Sequence, residues 1–362
     1  MPKVLFLDYS RGVEILPGIE RLCSESGILK AISRGDSVAV KVHMGELGNV
    51  TYIRPAFVRK VVDLVNKRGG RPFVTDTVTL YPGARDTAKK YLATAAYNGF
   101  VKESVGAPVV IADGGGDEGR AVAVSNAVSG CSLREIEVAR GIWEADYLLV
   151  LSHVKGHMIS GFGGAVKNLG MGCVTRRSKR DQHRANPALL DDPRCDGCGS
   201  CVQACPARAL SMRDGRPQRD PEKCDHCGTC LFTCSRNALF WERENKERFQ
   251  VYLAHAAAAV SSRFGEKIGF INFVQDVTPH CDCAAPAGRP LFPDIGILAS
   301  TDPVAIDKAS LDLVDKAHLM AADKRLSGPD KLGRYHDVDS LVQLRTAQEL
   351  GMGRLEYTLR IL

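Results

Sequence analysis

The sequence predicts an α/β protein: a mainly parallel sheet with helices on both faces, interrupted by a small α+β insertion rich in cysteine. Three observations carry this. Short β-type apolar runs alternate with segments at helical spacing, the pattern that builds a parallel sheet covered by helices. Such runs stand on both sides of a cysteine cluster, so one α/β domain continues through it. The chain is 362 residues long, beyond the size at which one hydrophobic core stops growing, and this argues for more than one structural unit. The expected boundaries are 1–190 with 241–362 for a discontinuous α/β domain and 191–240 for the insertion.

Residues 37–42 alternate into a β-branched apolar run and read as a buried strand. Residues 55–68 place Phe57, Val58, Val61, Val62, Leu64 and Val65 at helical spacing, and Gly69-Gly70 ends that helix. Residues 72–76, 108–112, 147–152, 267–274 and 294–300 are further buried-type strands bounded by turn residues.

Hydrophobic residues at 44% and charged residues at 25% match a folded globular chain rather than a disordered one. The longest apolar runs fall far short of the roughly 20 residues that span a bilayer, so no membrane span is expected. The first seven residues lack the apolar core and cleavage site of a signal peptide, and the expected location is the cytoplasm. The net charge of +6 invites a nucleic-acid reading. Its densest point is Arg176, Arg177, Lys179, Arg180 and Arg184, read as one short loop with no interleaved aromatics. A solvated loop fits better than a nucleic-acid patch, and a docking or anion-binding surface beside a redox centre is the third reading. No nucleic-acid partner is expected.

Eight of the thirteen cysteines form two runs, Cys195-x-x-Cys198-x-x-Cys201-x-x-x-Cys205-Pro206 and Cys224-x-x-Cys227-x-x-Cys230-x-x-x-Cys234. In a reducing compartment this reads as metal ligation rather than disulfides. Three thiolates at two-residue gaps wrap one cubane, and the fourth cysteine reaches the other cluster. The expected sets are Cys195, Cys198, Cys201 and Cys234 for the first cluster, and Cys224, Cys227, Cys230 and Cys205 for the second. Zinc knuckles would leave the fourth cysteine of each run without a use. Residues 191–240 resemble a bacterial two-cluster 4Fe-4S ferredoxin, with Ser235 where the second proline would stand. Two 4Fe-4S clusters are the expected cofactors; no motif identifies a further metal or organic cofactor.

A second resemblance spans nearly the whole chain. Lys41-Val-His43-Met-Gly-Glu46, Thr75-Asp76-Thr77 with Leu80-Tyr81-x-Gly83-x-Arg85, residues 95–100, Lys155-Gly156-His157 with Gly161-Phe-Gly163-Gly164-Ala-Val-Lys167-Asn168-Leu-Gly170-Met-Gly172, and Asp294-Ile-Gly-Ile with Asp302-Pro303-Val-Ala-Ile-Asp307 resemble the domain of unknown function 362 family of iron-sulfur centre proteins. That resemblance implies an α/β body with a 4Fe-4S module and no particular reaction. Asn49-x-Thr51-x-x-Arg54-Pro55 and the strand to Asp76 are similar to the N-terminal half of nickel-pincer lactate racemases.

The carboxyl ends of parallel strands face the ligand crevice, which singles out several groups. Lys41 and His43 end one strand, with Glu46 just beyond as partner to a proton-donating or metal-binding His43. Asp76 ends another, flanked by Thr75 and Thr77, and Tyr81 and Arg85 follow with a phenol proton and a planar anion clamp. A third end carries His153, Lys155 and His157. The last two lead into a glycine-rich segment where Gly161, Gly163, Gly164, Lys167 and Asn168 suit a bound anion such as a carboxylate or phosphate. The segment fits neither a Walker A loop nor a dinucleotide fingerprint, and a loop packed tightly beneath the insertion is the plainer alternative. His153 and His157 would face together only in a helix, which Gly156 opposes. Asp294 and Asp302 are expected near the rim. Cys281 and Cys283 are open to three readings: a third metal site with Cys173, His280 or a carboxylate, a redox switch, or inert buried thiols. Cys23 and Cys131 read as structural.

The function expected is an iron-sulfur oxidoreductase or reductase component, passing low-potential electrons through two clusters to an anionic ligand in the α/β crevice. Its partner would be a redox protein such as a ferredoxin or reductase. The alternative is a non-catalytic electron carrier, redox sensor or cluster-delivery protein. The large α/β body, with polar groups gathered at strand ends, favours the enzyme.

Overall fold

Tyr147–His153 is buried along its whole length, as a strand covered on both faces must be. The computed structural model describes residues 1–124, 128 and 130–362, and its central sheet has eight strands. In chain order they are β1 (Lys3–Asp8), β2 (Ser37–Val42), β3 (Arg71–Asp76), β4 (Val109–Ile111), β5 (Tyr147–His153), β6 (Ile268–Val274), β7 (Gly296–Ser300) and β8 (Thr358–Ile361). Their spatial order is β8-β1-β7-β6-β5-β2-β3-β4. All run parallel except β7, which is antiparallel to both β1 and β6.

Alternate residues feed two cores. In β5, Leu148 and Val150 pack into one, and Leu149 and Leu151 into the other. The second core is covered chiefly by α1 (Ile15–Ser26), α2 (Pro55–Lys67) and α3 (Ala88–Tyr97). The first core is covered by α4 (Ala165–Gly170), α6 (Arg243–Ser262), α7 (Pro303–Lys316) and α8 (Val342–Glu349), and α5 (Arg176–His183) precedes the cysteine-rich segment. The predicted helix and strands therefore lie within a residue or two of their expected bounds. Burial at 1% exposure pushes the Cys23 thiol up to about 12, in keeping with a structural role. Cys131 packs half-buried against the first core.

The basic segment is not a loop. It forms α5, with Lys179 buried and Arg176 turned inward, its guanidinium donating to the carbonyls of Thr79 and Gly115 at 3.3 and 3.1 Å. The clustered charge thus serves in part to satisfy buried carbonyls.

Strands from both sides of residues 191–240 build the central sheet. At the neck of that segment Leu189–Leu190 pairs antiparallel with Leu239–Phe240. Beyond the neck lies its own hairpin, Leu210–Arg213 with Arg216–Arg219. Its two halves repeat at a fixed offset. Short helices Ser200–Gln203 and Thr229–Thr233 start from left-handed Gly199 and Gly228 (φ 75° and 78°), and Arg208 and Asn237 (φ 50° and 49°) make matching turns three residues after Cys205 and Cys234. Among the described residues, no helix is long and apolar enough to cross a membrane.

Candidate functional site

The carboxyl ends of β2, β3 and β5 open onto one cavity of about 530 Å³. Lys41, His43, Asp76, Tyr81, Arg85, His153, Lys155, His157, Gly163, Gly164, Lys167 and Asn168 all line it. The crossover rule that places ligands at these strand ends accounts for the convergence of residues more than a hundred positions apart.

Most of the charge in this wall is paired. Lys41 Nζ lies 2.8 Å from Asp76 Oδ1, with both side chains under 5% exposed, and donates to Asn168 Oδ1 at 2.6 Å. Burial alone would raise the Asp76 carboxyl; the charge and hydrogen bond of Lys41 outweigh it and hold the group down at about 2. The Tyr91 hydroxyl donates to the other Asp76 oxygen. Arg85 donates to Glu46 Oε2 at 3.0 Å and the Tyr81 hydroxyl at 3.0 Å, and Nη1 meets His43 Nε2 at 2.9 Å. Gly45 N–H faces the other His43 nitrogen at 3.1 Å. Buried, and flanked by Arg85, the His43 ring is held well below its usual pKa and is a neutral imidazole. Arg85 is thus fixed by protein groups rather than free to clamp a ligand, and Glu46 sits behind it, outside the lining.

His153 Nδ1 meets Asp282 Oδ1 at 2.8 Å, and Lys155 Nζ lies 3.4 Å from Asp282 Oδ2. Burial works against the Asp282 charge, yet His153 and Lys155 keep its carboxyl far below the usual range. His153 and His157 both reach the cavity, from a strand end and a hairpin (Lys155–His157 with Gly161–Gly163) rather than from one helix. Burial lowers His157 well below its usual value, and its Nδ1 accepts from Ser160 N–H at 3.2 Å, which leaves the ring proton on Nε2.

Lys167 differs from its neighbours. Among the described residues its ammonium has no hydrogen-bond or ion-pair partner, and burial, reinforced by Lys155, lowers it to about 7. Lys167 is therefore a cation in the cavity wall without a protein partner among the described residues, suited to an anionic group of a ligand.

The glycines of this segment serve packing more than ligand approach. A Cβ on Gly164 would stand 2.3 Å from Asp307 Oδ1, one on Gly170 2.3 Å from the Leu253 carbonyl, and one on Gly172 2.5 Å from Lys41 Nζ. Gly161 lies away from the cavity, against Ser340. The close contacts of these glycines are with the α/β body and not with the cysteine-rich segment above it.

Of the two expected rim residues, one lies at the wrong edge and the other stands outside the lining. Because β7 runs antiparallel, Asp302 beyond its end lies at the opposite edge, capping α7 through Ala305 N–H at 2.8 Å. Asp294 stands at the right edge but accepts from Asp276 N–H at 2.7 Å, outside the lining. Cys281 and Cys283 are joined to each other by a disulfide and both line the cavity; while bridged, these sulfurs do not serve as thiolate ligands. Cys173 is buried beneath α4, its thiol pushed up to about 12 by burial and directed at the Asn168 carbonyl.

Sequence reasoning missed Tyr91, Asp113, Lys179, His183 and Asp282. Asp113, just past β4, accepts from Val78 N–H at 3.2 Å, and the strand-end rule would have found it. Lys179, lowered to about 8 by burial, donates to Thr77 Oγ1 at 2.7 Å. Tyr91 is indistinguishable in sequence from a core aromatic.

The cysteine-rich segment completes the wall. Cys227, Thr229, Phe232 and Thr233 of this segment, with Trp241 just beyond it, line the same cavity, and Arg180 Nε anchors the segment to Asp225 Oδ1 at 2.6 Å. Further out, Cys195, Cys198, Cys201 and Cys234 surround a separate hollow of about 20 Å³. Backbone N–H groups of Ala209 and Ala238 point at Cys205 Sγ and Cys234 Sγ, each at 3.3 Å. Among the described residues, no three His, Cys, Asp or Glu side chains converge tightly enough for a single metal ion.

Fold and site together define an α/β protein with a buried, lysine-rich crevice whose wall includes residues of a cysteine-rich segment. The chain belongs to the family described as Domain of unknown function (DUF362), whose model matches residues 38–312. No curated protein matches it. Among solved structures, it is similar to the lactate racemase apoprotein from Thermoanaerobacterium thermosaccharolyticum (11% identity, TM-score 0.35, covering 76% of this chain and 51% of that one). It is also similar to a Thermotoga maritima protein from a structural genomics consortium (11% identity, TM-score 0.48, covering 86% of this chain and 61% of that one). The chain thus spans less than two thirds of either.

Proposed function

We propose that this chain is an iron-sulfur oxidoreductase in which residues 191–240 form a ferredoxin-type module holding two 4Fe-4S clusters, and in which a small anionic ligand is reduced in the α/β crevice. The observation that carries the reading is the shared wall: Cys227, from one expected ligand set, lines the same cavity as Lys167, His157 and Asp76.

The cysteines suit such clusters. One expected set, Cys195, Cys198, Cys201 and Cys234, surrounds a single hollow. In the other, Cys230 lies close enough to Cys227, Cys224 and Cys205, and also to Cys201 of the first set, for their charges to raise its thiol further, after burial. Backbone N–H groups directed at Cys205 and Cys234 would stabilise bound thiolates. When bound, such clusters supply electrons one at a time at low potential. The chain's own residues do the rest. Lys167 binds the anionic group, His157 presents an Nε2 proton, and Phe232 and Trp241, packed edge to face at 6.0 Å, restrict water at the mouth.

Anaerobic purification with iron and sulfide analysis tests the reading. About eight irons and eight sulfides per chain are expected, and zinc or an iron-free protein overturns it. Cys205→Ser should damage the second cluster's electron paramagnetic resonance signal more than the first.

A further inference from the structure

Cys281 and Cys283 are bridged across a sequence separation of 2, and both face the cavity that Cys227 also lines. A ring this small restrains the unfolded chain far less than a long loop, so bracing the fold is a poor account of the bond. The surroundings instead hold the turn still. Asp282, between the sulfurs, is fully buried against His153, while Glu46 N–H donates to the Asp282 carbonyl at 2.9 Å and Asn49 Nδ2 to that of Ala284 at 3.0 Å. With the intervening carboxylate anchored inward, the two sulfurs are displayed at the wall. Lys155 and His280 line the same cavity, and His280 Nδ1 is buried with no hydrogen-bond partner among the described residues.

We propose that Cys281–Cys283 is a redox-active disulfide, a two-electron acceptor in the crevice wall that reduces a small disulfide bearing a carboxylate. This rests on the reading of residues 191–240 as a two-cluster module. Reduction breaks the S–S bond, consumes two electrons and two protons, and leaves two thiols. The electrons come from a low-potential one-electron donor such as a reduced ferredoxin, and Lys155 and His280, which line the same cavity, are the protein groups that would supply the protons. In the second half, the thiolate of the more exposed Cys283 attacks the substrate disulfide and expels one thiol, which takes up a proton. Cys281 then attacks the mixed disulfide, releases the second thiol and restores the bridge. Lys167 is the cation that a carboxylate on the substrate would meet.

The test uses the intact, anaerobically prepared protein. Titrated with photoreduced deazaflavin, the wild type should take up about four electrons per chain and the Cys281→Ser/Cys283→Ser variant about two, one per cluster. Maleimide labelling with mass spectrometry should find both thiols only after reduction. Adding 3,3′-dithiodipropionate to the reduced protein should restore the bridge. If the protein carries no iron-sulfur clusters, the functional reading and this inference fall together. Clusters that load and bleach while the wild type takes about two electrons and gains no label overturn this inference alone, and a dithiol that dithiodipropionate leaves reduced overturns the substrate class.

Discussion

Asp307, on the helix after the insertion, accepts the backbone N–H of Ala165, before the insertion, at 2.7 Å through Oδ1, and that of Val166 at 2.9 Å through Oδ2. The carboxylate thereby caps the helix that carries Lys167 and Asn168, and a negative group at a helix N-terminus meets both free donors and the favourable end of the dipole. Asn272 Nδ2 adds a third bond at 2.7 Å. Two halves of the sequence are thus locked at the base of the crevice.

Asp307→Ala should therefore destabilise the fold by about 1–3 kcal/mol, because buried donors lose their acceptor. Denaturant unfolding measures it. Burial raises the Asp307 carboxyl to about 6, so charging it costs more in the folded state than in the unfolded one. Its contribution is full below the ordinary carboxylate range and declines as pH rises to about 6. The variant should flatten that part of the stability profile; an unchanged slope would count against the assignment.

Lys41 and Asp76 form a buried pair, so removing one partner strands a charge. Lys41→Met should cost about 3–5 kcal/mol, and Lys41→Met with Asp76→Leu should recover part of it. A double variant no better than the single would show that Tyr91 and Thr77, which also bond Asp76, rather than Lys41, dominate.

The strand-end groups were legible in sequence because a period-2 apolar run fixes where a strand stops, and parallel strands bring those stops to one edge. Lys41, Asp76 and His153 followed from that alone. The reversal of β7 was not legible, since a buried run reads the same in either direction, and Asp302 was misassigned for this reason. Nor could spacing tell whether a glycine admits a ligand or a neighbour. Gly172 admits Lys41, which lies far away in sequence. The same limit hid Asp282, whose role depends on His153 approaching from another strand.

Gly172→Ala follows from that contact. Its Cβ would stand 2.5 Å from both Lys41 Nζ and the Asn168 carbonyl, so the lysine must leave Asp76 or the chain must shift. A loss of about 1–3 kcal/mol is expected, the range for overpacking. A penalty for Gly172→Ala that is smaller in a Lys41→Met background than in the parent, read by thermal unfolding, would identify the lysine as a clashing group.

Lys167, lowered to about 7 by burial, should be the most reactive amine of the protein toward small acylating reagents near neutral pH. Per amine the advantage over surface lysines in the fraction uncharged is on the order of a thousandfold near neutral pH. Peptide mapping after brief cyanate treatment measures it. Because the unfolded state holds this proton up to the ordinary lysine range, the group favours folding increasingly as pH rises above about 7. Anion binding has the opposite sign: affinity for the ammonium fades above about 7, and Lys167→Ala should remove that dependence.

The neck of the insertion gives the last prediction. Leu189–Leu190 and Leu239–Phe240 bring the two ends of the segment side by side, with Asp191 N–H donating to the Ala238 carbonyl at 2.7 Å. The central sheet takes no strand from between them. Joining residue 190 to residue 239 by a short Gly/Ser turn therefore closes an antiparallel pair without moving a sheet strand, and loop closure over so small a gap costs little. The shortened protein should fold with its circular dichroism largely retained. Its crevice would lose the wall formed by Cys227, Thr229, Phe232 and Thr233, so it should bind a dye sensitive to exposed apolar surface more strongly than the parent. Unfolding of the shortened protein would mean that the Arg180–Asp225 contact and the buried wall are integral to the α/β core; a cooperative transition within a few degrees of the parent would mean that the sheet and the insertion hold their structures separately.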